Sequence, residues 1–285
     1  MRLAAAGAAA GVKASGTQQQ QQQQQLGQAP PAPSSHREQH PTSASGQQQQ
    51  QASAAAQAVA EGSAAAFSTG PARAPAAAAL QPGAAAAQPP VLLLDIMDTV
   101  VYDPFFQDMP RFFDCTFKEL LAWKHPTAWV EFEKDEIDEE ELLRIFFADG
   151  RSFDGQALKQ HMAACYRYLD GMESLLQRLA AAGAEMHAFS NYPAWWQLIE
   201  GKLALSQYLS WTFISCQGPM RGLRKPSPES FAAVVAHLGL PPDRLLFVDD
   251  RQANVDGALA AGIPAVRFEG AEALEAELRQ RGFVL

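Results

Sequence analysis

Four aspartates, a lysine and a serine are the residues whose types and order suit chemistry. They lie in four short segments: Asp95-Ile96-Met97-Asp98-Thr99, Phe189-Ser190-Asn191, Arg224-Lys225-Pro226-Ser227-Pro228 and Phe247-Val248-Asp249-Asp250-Arg251. Aspartates can ligate a hard cation such as magnesium, which takes oxygen donors and often keeps one or two carboxylates plus waters. An aspartate can also attack as a nucleophile. A lysine and a hydroxyl nearby suit an anionic substrate, because they neutralise charge as it redistributes. Each segment alone has a plainer reading. An Asp after an apolar run is often a turn or a helix cap. Ser190 could cap the next element, Lys225 could be a surface lysine, and an Asp pair could be a loop. The four together, in one order and each at an element boundary, form a combined motif that coincidence seldom supplies.

Those boundaries come from the surrounding pattern. Residues 91–94 are a continuous apolar run ending at Asp95, as in a strand buried on both faces. From about 104 to 168 the pattern is helical. Leu142, Leu143, Phe146 and Phe147 form a stripe there, and the acidic run 135–141 reads as a solvated face and a helix start. Met172, Leu175, Leu176 and Leu179 recur at helical spacing. Asp170 and Glu173 could form a capping box before them, and Gly183 could end the helix. Further strands are predicted at 185–189, 211–215, 245–248 and 265–268, and helices at 228–238, 254–261 and 271–281. This alternation predicts an α/β fold with a doubly wound parallel sheet. The stretch at 104–168 reads as a helical cap inserted after the first strand. Such sheets bind ligands beyond the carboxyl ends of their strands, which is where Asp95, Ser190 and Asp249-Asp250 fall.

Composition divides the 285 residues in two. Residues 1–88 are Ala, Gln, Ser, Gly and Pro with two glutamine runs, 18–25 and 47–51. Such a segment buries too little apolar surface to offset chain entropy and is expected to be disordered. Being acid-poor and Ala- and Ser-rich with scattered arginines, it also fits an organelle transit peptide. The remaining 89–285 suit one domain with a small insertion. The chain carries a net charge of −9 and its first 90 residues are slightly basic, so the acidic balance lies in the domain. That argues against nucleic acid or an anionic membrane as a partner. Cys115, Cys165 and Cys216 show no metal-ligand or redox spacing.

The four segments resemble the signature motifs of the haloacid dehalogenase-like hydrolase superfamily over about residues 91–268. The most specific parts are Lys-Pro-x-Pro-x-x-Phe at 225–231 and the Asp-Asp-x-x-x-Asn-Val-x-x-Ala-x-x-Ala-Gly run at 249–262. The resemblance implies a Rossmann-like, Mg2+-dependent phosphatase. Asp95 would be the nucleophile and a metal ligand, with the Met97 carbonyl as a second ligand. Asp250 would be the main carboxylate ligand, with Asp249 beside it. Lys225 would contact the phosphate and Asp95. Ser190 and the amide of Asn191 would hold a phosphoryl oxygen. An aspartyl-phosphate would form and then be hydrolysed by water.

One position departs from the pattern. Superfamily phosphatases usually carry a second Asp two residues after the nucleophile, and here that residue is Met97. A leaving alkoxide needs a proton, and a positioned acid typically contributes about 10²–10⁴-fold. Asp98, or a water, is the expected substitute. The metal-free dehalogenase branch also lacks the second Asp, but it would leave the Asp249-Asp250 pair without a purpose.

Within the superfamily, the segments 94–101, Asp103-Pro104-Phe105, Lys124-His125-Pro126, 129–134, 169–172, 187–193 and 209–213 are similar to plant plastid FMN hydrolases (riboflavin-5′-phosphate phosphatases). That implies FMN as the substrate and the chloroplast stroma as the location. Phe105, Phe106, Phe112, Phe113, Trp123, Trp129 and Phe132 could line a flat slot for a flavin or form the cap's own core. Trp195-Trp196 carry the same two readings, while His125 and His161 read as packed or exposed. Two alternatives to FMN hydrolysis stand. One is a phosphatase for another ribityl phosphate, such as the pyrimidine intermediate of riboflavin synthesis. The other is a non-catalytic flavin- or phosphate-binding module.

Overall fold

The computed structural model describes residues 89–285. The disorder and transit peptide expected of residues 1–88 lie outside the described residues. The chain enters the sheet at β1 (Val91–Leu94), whose four residues are all buried. Burial on both faces explains the unbroken apolar run, and each leucine contributes about 2 kcal/mol by leaving water. The strands β2 (Met186–Ser190), β3 (Ser210–Ile214), β4 (Leu245–Asp249) and β5 (Ala265–Arg267) complete a five-stranded sheet of order β3-β2-β1-β4-β5. Every pairing is parallel. Register fixes the strand ends: Leu94 pairs with Ala188 on one side and Val248 on the other. Asp95, Ser190 and Asp249 therefore arrive together at one edge.

Helices supply the layers. Residues 104–168 hold α1 (Asp108–Phe112), α2 (Phe117–Trp123), α3 (Ala128–Glu133), α4 (Glu139–Ile145) and α5 (Gly155–Cys165). Then come α6 (Met172–Ala181), α7 (Trp196–Leu203), α8 (Pro228–Leu238), α9 (Gln252–Ala260) and α10 (Ala271–Gln280). One core joins Leu93, Phe189, Phe213, Leu245 and Phe247 of the sheet to Phe231 and Val234 of α8 and Ala258 of α9. The alternate strand residues Leu92, Leu94, Leu246 and Val248 are equally buried, as the two-residue period of a strand requires.

Local details correct the sequence reading in two places. The capping box expected of Asp170 and Glu173 does not form. Gly171, at φ 81°, is the N-cap of α6 and no side chain caps it. The acidic run is also more than a solvated face. Asp138 caps α4 by accepting the Glu141 amide. Glu139 pairs with Lys159 at 2.8 Å and accepts the Trp195 indole N–H. Among the described residues, no helix is long and apolar enough to cross a membrane.

Candidate active site

The chain reverses immediately after β1. Val100 and Val101 amides both donate to the Ile96 carbonyl, and the Asp98 amide donates to Val101. Asp98 takes a left-handed φ of 56°, a conformation that Asp tolerates better than most residues. Asp95 is buried, with its amide on the Val248 carbonyl at 2.9 Å and one carboxylate oxygen 3.3 Å from the Thr99 hydroxyl. The other oxygen accepts Lys225 Nζ at 2.7 Å. The same ammonium donates to Asp249 Oδ2 at 2.7 Å and to the Phe189 carbonyl. Phe189 and Phe247 each place a ring centroid 5.1 Å from it.

Lys225 is itself held by its main chain. Asn191 Nδ2 donates to the Lys225 carbonyl and Asn191 Oδ1 accepts the Lys225 amide, both at 2.9 Å. The helix α9 closes in behind. A Cβ at Gly257 would meet Phe231 at 2.9 Å and the Pro226 carbonyl at 3.1 Å, so only glycine admits that approach. Asp249, fully buried, gives both oxygens to Asn254 Nδ2 at 3.0 Å and one to the Arg251 amide. Its carboxylate thus anchors Lys225 and the start of α9. Ser190 Oγ is buried and has no hydrogen-bond partner. A buried hydroxyl left unpaired costs about 1–3 kcal/mol, so it marks a place prepared for an outside acceptor or donor.

The charge balance is equally incomplete. Asp95, Asp249 and Asp250 each offer an oxygen within 4.8 Å of the others. Burial raises the Asp95 pKa to about 6, against the pull of Lys225. Burial, then the charges of Asp95 and Asp249, raise Asp250 to about 8. Burial works against the charge of Lys225, but Asp249 and Asp95 outweigh it and its pKa ends above the ordinary lysine value. These three carboxylates, Asp250 half-buried and the others buried, face Lys225 and the Arg251 guanidinium and still hold surplus negative charge. All-oxygen donors with surplus negative charge fit a hard divalent cation, which would relieve the repulsion. Met97 lies in the tight turn beside them and is partly buried.

The structure thus brings together Asp95, Ser190, Asn191, Lys225, Asp249 and Asp250. Asp98 stands one turn away, its Oδ1 accepting the Asp103 amide at 3.1 Å. Four further residues join them that the sequence did not single out for a role. Arg251 lies among Asp250, Asp95, Asp249 and Glu133, which raise its pKa against the effect of burial. Asn254 clamps Asp249; its fixed spacing after the Asp pair was the available signal. Glu133, buried at the end of α3, pairs with Arg224 at 2.7 Å and accepts the Trp129 indole N–H. Asp103 is the fourth.

The aromatic residues divide into two groups. Phe113 packs with Phe146, Phe147 and Phe153 as the insertion's own core. Trp129 and Phe132 instead pack on Trp195, and Trp129 also meets Tyr192, just beyond Ser190. His125 Nδ1 accepts the Ala128 amide at the start of α3. A second cluster, Asp108, His161 and Cys165, is engaged internally. Tyr102 and Arg111 hold the Asp108 carboxylate, and His161 Nε2 lies 3.0 Å from the Asp108 carbonyl.

The model of the haloacid dehalogenase-like hydrolase family matches residues 50–262. The chain belongs to the haloacid dehalogenase-like hydrolases. It is an enzyme, a hydrolase of the phosphatase kind. It is 54% identical over 193 residues to the chloroplast flavin mononucleotide hydrolase 1 of Arabidopsis thaliana, covering 68% of this chain and 78% of that protein. It is 24% identical over 177 residues to a sesquiterpene phosphatase of Aspergillus oryzae, covering 57% and 83% respectively. A haloacid dehalogenase family enzyme from Bacteroides thetaiotaomicron aligns with a TM-score of 0.53 at 17% identity, over 66% of this chain and 98% of that one. The same enzyme has been solved with magnesium and inorganic phosphate, and that form aligns with a TM-score of 0.50 at 18% identity, over 66% and 99%. These structural likenesses are ones of fold.

Proposed function

We propose that this haloacid dehalogenase-like hydrolase is a magnesium-dependent phosphatase that converts FMN to riboflavin and phosphate. The observation that carries the chemistry is Lys225 Nζ, buried and bonded at 2.7 Å to both Asp95 and Asp249. Its single positive charge is shared by two of the three carboxylates, and the negative charge left over suits a divalent cation. Asp95 is the nucleophile. Asp95, the Met97 carbonyl and Asp250 hold the metal. Asp249 stands beside them and orients Lys225. The bound metal supplies neutralisation of the phosphate oxygens.

The chain's own residues do the rest. Ser190 Oγ, without an internal partner, and the Asn191 main-chain amide hold a phosphoryl oxygen. The Asn191 side chain keeps Lys225 aimed. Attack by Asp95 gives an aspartyl-phosphate, which water hydrolyses. Trp129 and Phe132 pack where the insertion meets the residues after Ser190, and with Phe105 behind Trp129 they choose the leaving group. The 54% identity to the Arabidopsis enzyme supports FMN, and that relative's chloroplast assignment, with the Ala- and Ser-rich start of the sequence, supports the chloroplast stroma.

Release of inorganic phosphate from a panel of esters, with and without magnesium, tests this reading. FMN should be the best substrate and chelation should abolish turnover. Faster release from a different ribityl phosphate would replace the substrate. Tight FMN binding without release from any ester would make the protein a binding module.

A further inference from the structure

FMN hydrolysis expels an alkoxide, and an alkoxide is a poor leaving group unless it is protonated as the bond breaks. Met97 has no proton to give, and Asp98 spends one oxygen on the Asp103 amide. We propose that Asp103 is the proton donor to the leaving oxygen, and that it takes a proton back from the water that attacks the aspartyl-phosphate. This rests on the phosphatase reading above.

The geometry comes first. Asp103 is the last residue before the insertion, where the chain leaves the turn that follows Asp95. Two bonds fix it there. Its amide donates to Asp98 Oδ1 at 3.1 Å, and its own Oδ1 accepts the Phe105 amide at 2.9 Å. The second bond ties it to an aromatic residue that packs 5.8 Å from Trp129. Its charged neighbours come from every side: Asp98 from the turn, Arg251 from the loop before α9 and Glu133 from α3. Tyr166 after α5 and Tyr192 after β2, whose hydroxyls are 2.6 Å apart, also feel its charge. Arg251 acts on Asp103, Asp95 and Asp250 alike. Asp103 therefore shares the Arg251 charge with Asp95 and stands where the chain enters the insertion, the element that the phosphatase reading gives to the leaving group.

Its protonation state fits the task. Burial, then the Asp98 charge, raise the Asp103 pKa to about 8. At neutral pH it keeps the proton that the leaving oxygen needs.

The steps balance. Asp95 forms its bond to phosphorus, the ester P–O bond breaks with its electron pair going to the alkyl oxygen, and the Asp103 proton moves to that oxygen. Riboflavin leaves with a neutral hydroxyl. Water then attacks phosphorus, the Asp95–phosphorus bond breaks, and one water proton returns to the Asp103 carboxylate. Phosphate keeps the other.

Leaving-group dependence in the full chain, at saturating magnesium, tests the proposal. Asp103→Asn should lower kcat/KM, which reads the steps up to ester cleavage, by about 100-fold or more on FMN or on the best alkyl phosphate of the panel. On p-nitrophenyl phosphate, whose phenolate leaves without a proton, kcat/KM of the same variant should fall by less than about 10-fold. The aryl ester also reports that the variant folds. The fall in wild-type FMN turnover above about pH 8 should flatten in the variant. A loss under about 10-fold on the alkyl ester, or equal losses on both esters, would overturn the proposal while leaving the phosphatase standing. A wild-type protein that hydrolyses no ester removes the phosphatase reading itself.

Discussion

The carboxyl ends of the sheet and the helical insertion do different work and are specified differently. At the sheet, position follows from register. Leu94, Ala188 and Val248 are paired neighbours, so the residues that follow them meet whatever else the chain does. In the insertion the helices are short, five to eleven residues. Isolated helices of that length are marginal in water, so tertiary contacts place their side chains. The difference predicts that chemistry is lost at the sheet without loss of stability, and that changes in the insertion cost stability or selectivity.

The largest effect belongs to Asp95, the proposed nucleophile. Asp95→Asn should lower kcat by at least about 10³-fold, the scale of losing a covalent nucleophile. It should not destabilise the metal-free fold. The folded state already resists the Asp95 charge, which is why its pKa is raised to about 6. A chemical denaturation midpoint below wild type would break the contrast, because the sheet end would then be a structural element as well.

The same contrast governs what the sequence disclosed. Asp95, Ser190 and Asp249-Asp250 were legible because each ends an apolar run, and Lys225 because it stands just ahead of the helix that opens at Pro228; backbone topology gathers such boundaries. The parallel sheet was legible from the alternation of apolar runs and helical stripes. Glu133, Asp103 and Arg251 were not. Glu133 sits in the helical stretch just before the acidic run 135–141, with nothing in its spacing to mark it, and its approach to Arg224 and Trp129 buries it. Arg251 looked like the variable residue after an Asp pair, and its value lies also in two carboxylates distant in sequence, Asp95 and Glu133. The failed Asp170–Glu173 box teaches the same lesson at smaller scale. A local motif fits the spacing, yet Gly171 at φ 81° starts the helix instead.

A smaller effect sharpens the electrostatic side of the comparison. Asp103 and Asp250, both raised to about 8, favour the folded state most when protonated. Their contribution is fully present below the ordinary Asp pKa near 4 and is lost as pH rises through about 8. The metal-free protein should therefore melt at a lower temperature at pH 8.5 than at pH 6. Asp250→Asn should shrink that difference. Magnesium needs the ionised carboxylates, so its affinity should rise over the same interval and binding near pH 7 should release protons. Calorimetry in buffers of different ionisation enthalpy measures the release. A melting temperature that is flat across this range would remove the carboxylate surplus from the account.

The smallest effects separate two ion pairs that both tie the insertion to the chain around Lys225. Glu133–Arg224 is largely buried, with side-chain exposures of 8% and 27%, whereas Asp135–Arg221 is exposed at 40% and 67%. Breaking a buried pair strands a charge away from water and typically costs 3–5 kcal/mol; the part-exposed Arg224 reduces this to about 2 kcal/mol for Glu133→Ala. Asp135→Asn should cost at most about 1 kcal/mol, because solvent already screens that pair. The kinetic consequence should divide in the same way. Arg224 adjoins Lys225, and Glu133 adjoins the aromatic residues that meet Trp195, so Glu133→Ala should raise KM for the flavin ester more than it lowers kcat. Asp135→Asn should change neither. Equal stability losses from the two variants would mean that the insertion is fastened by its charged surface. Unequal losses with a selective KM change would mean that one buried carboxylate both fastens the insertion and shapes what it admits.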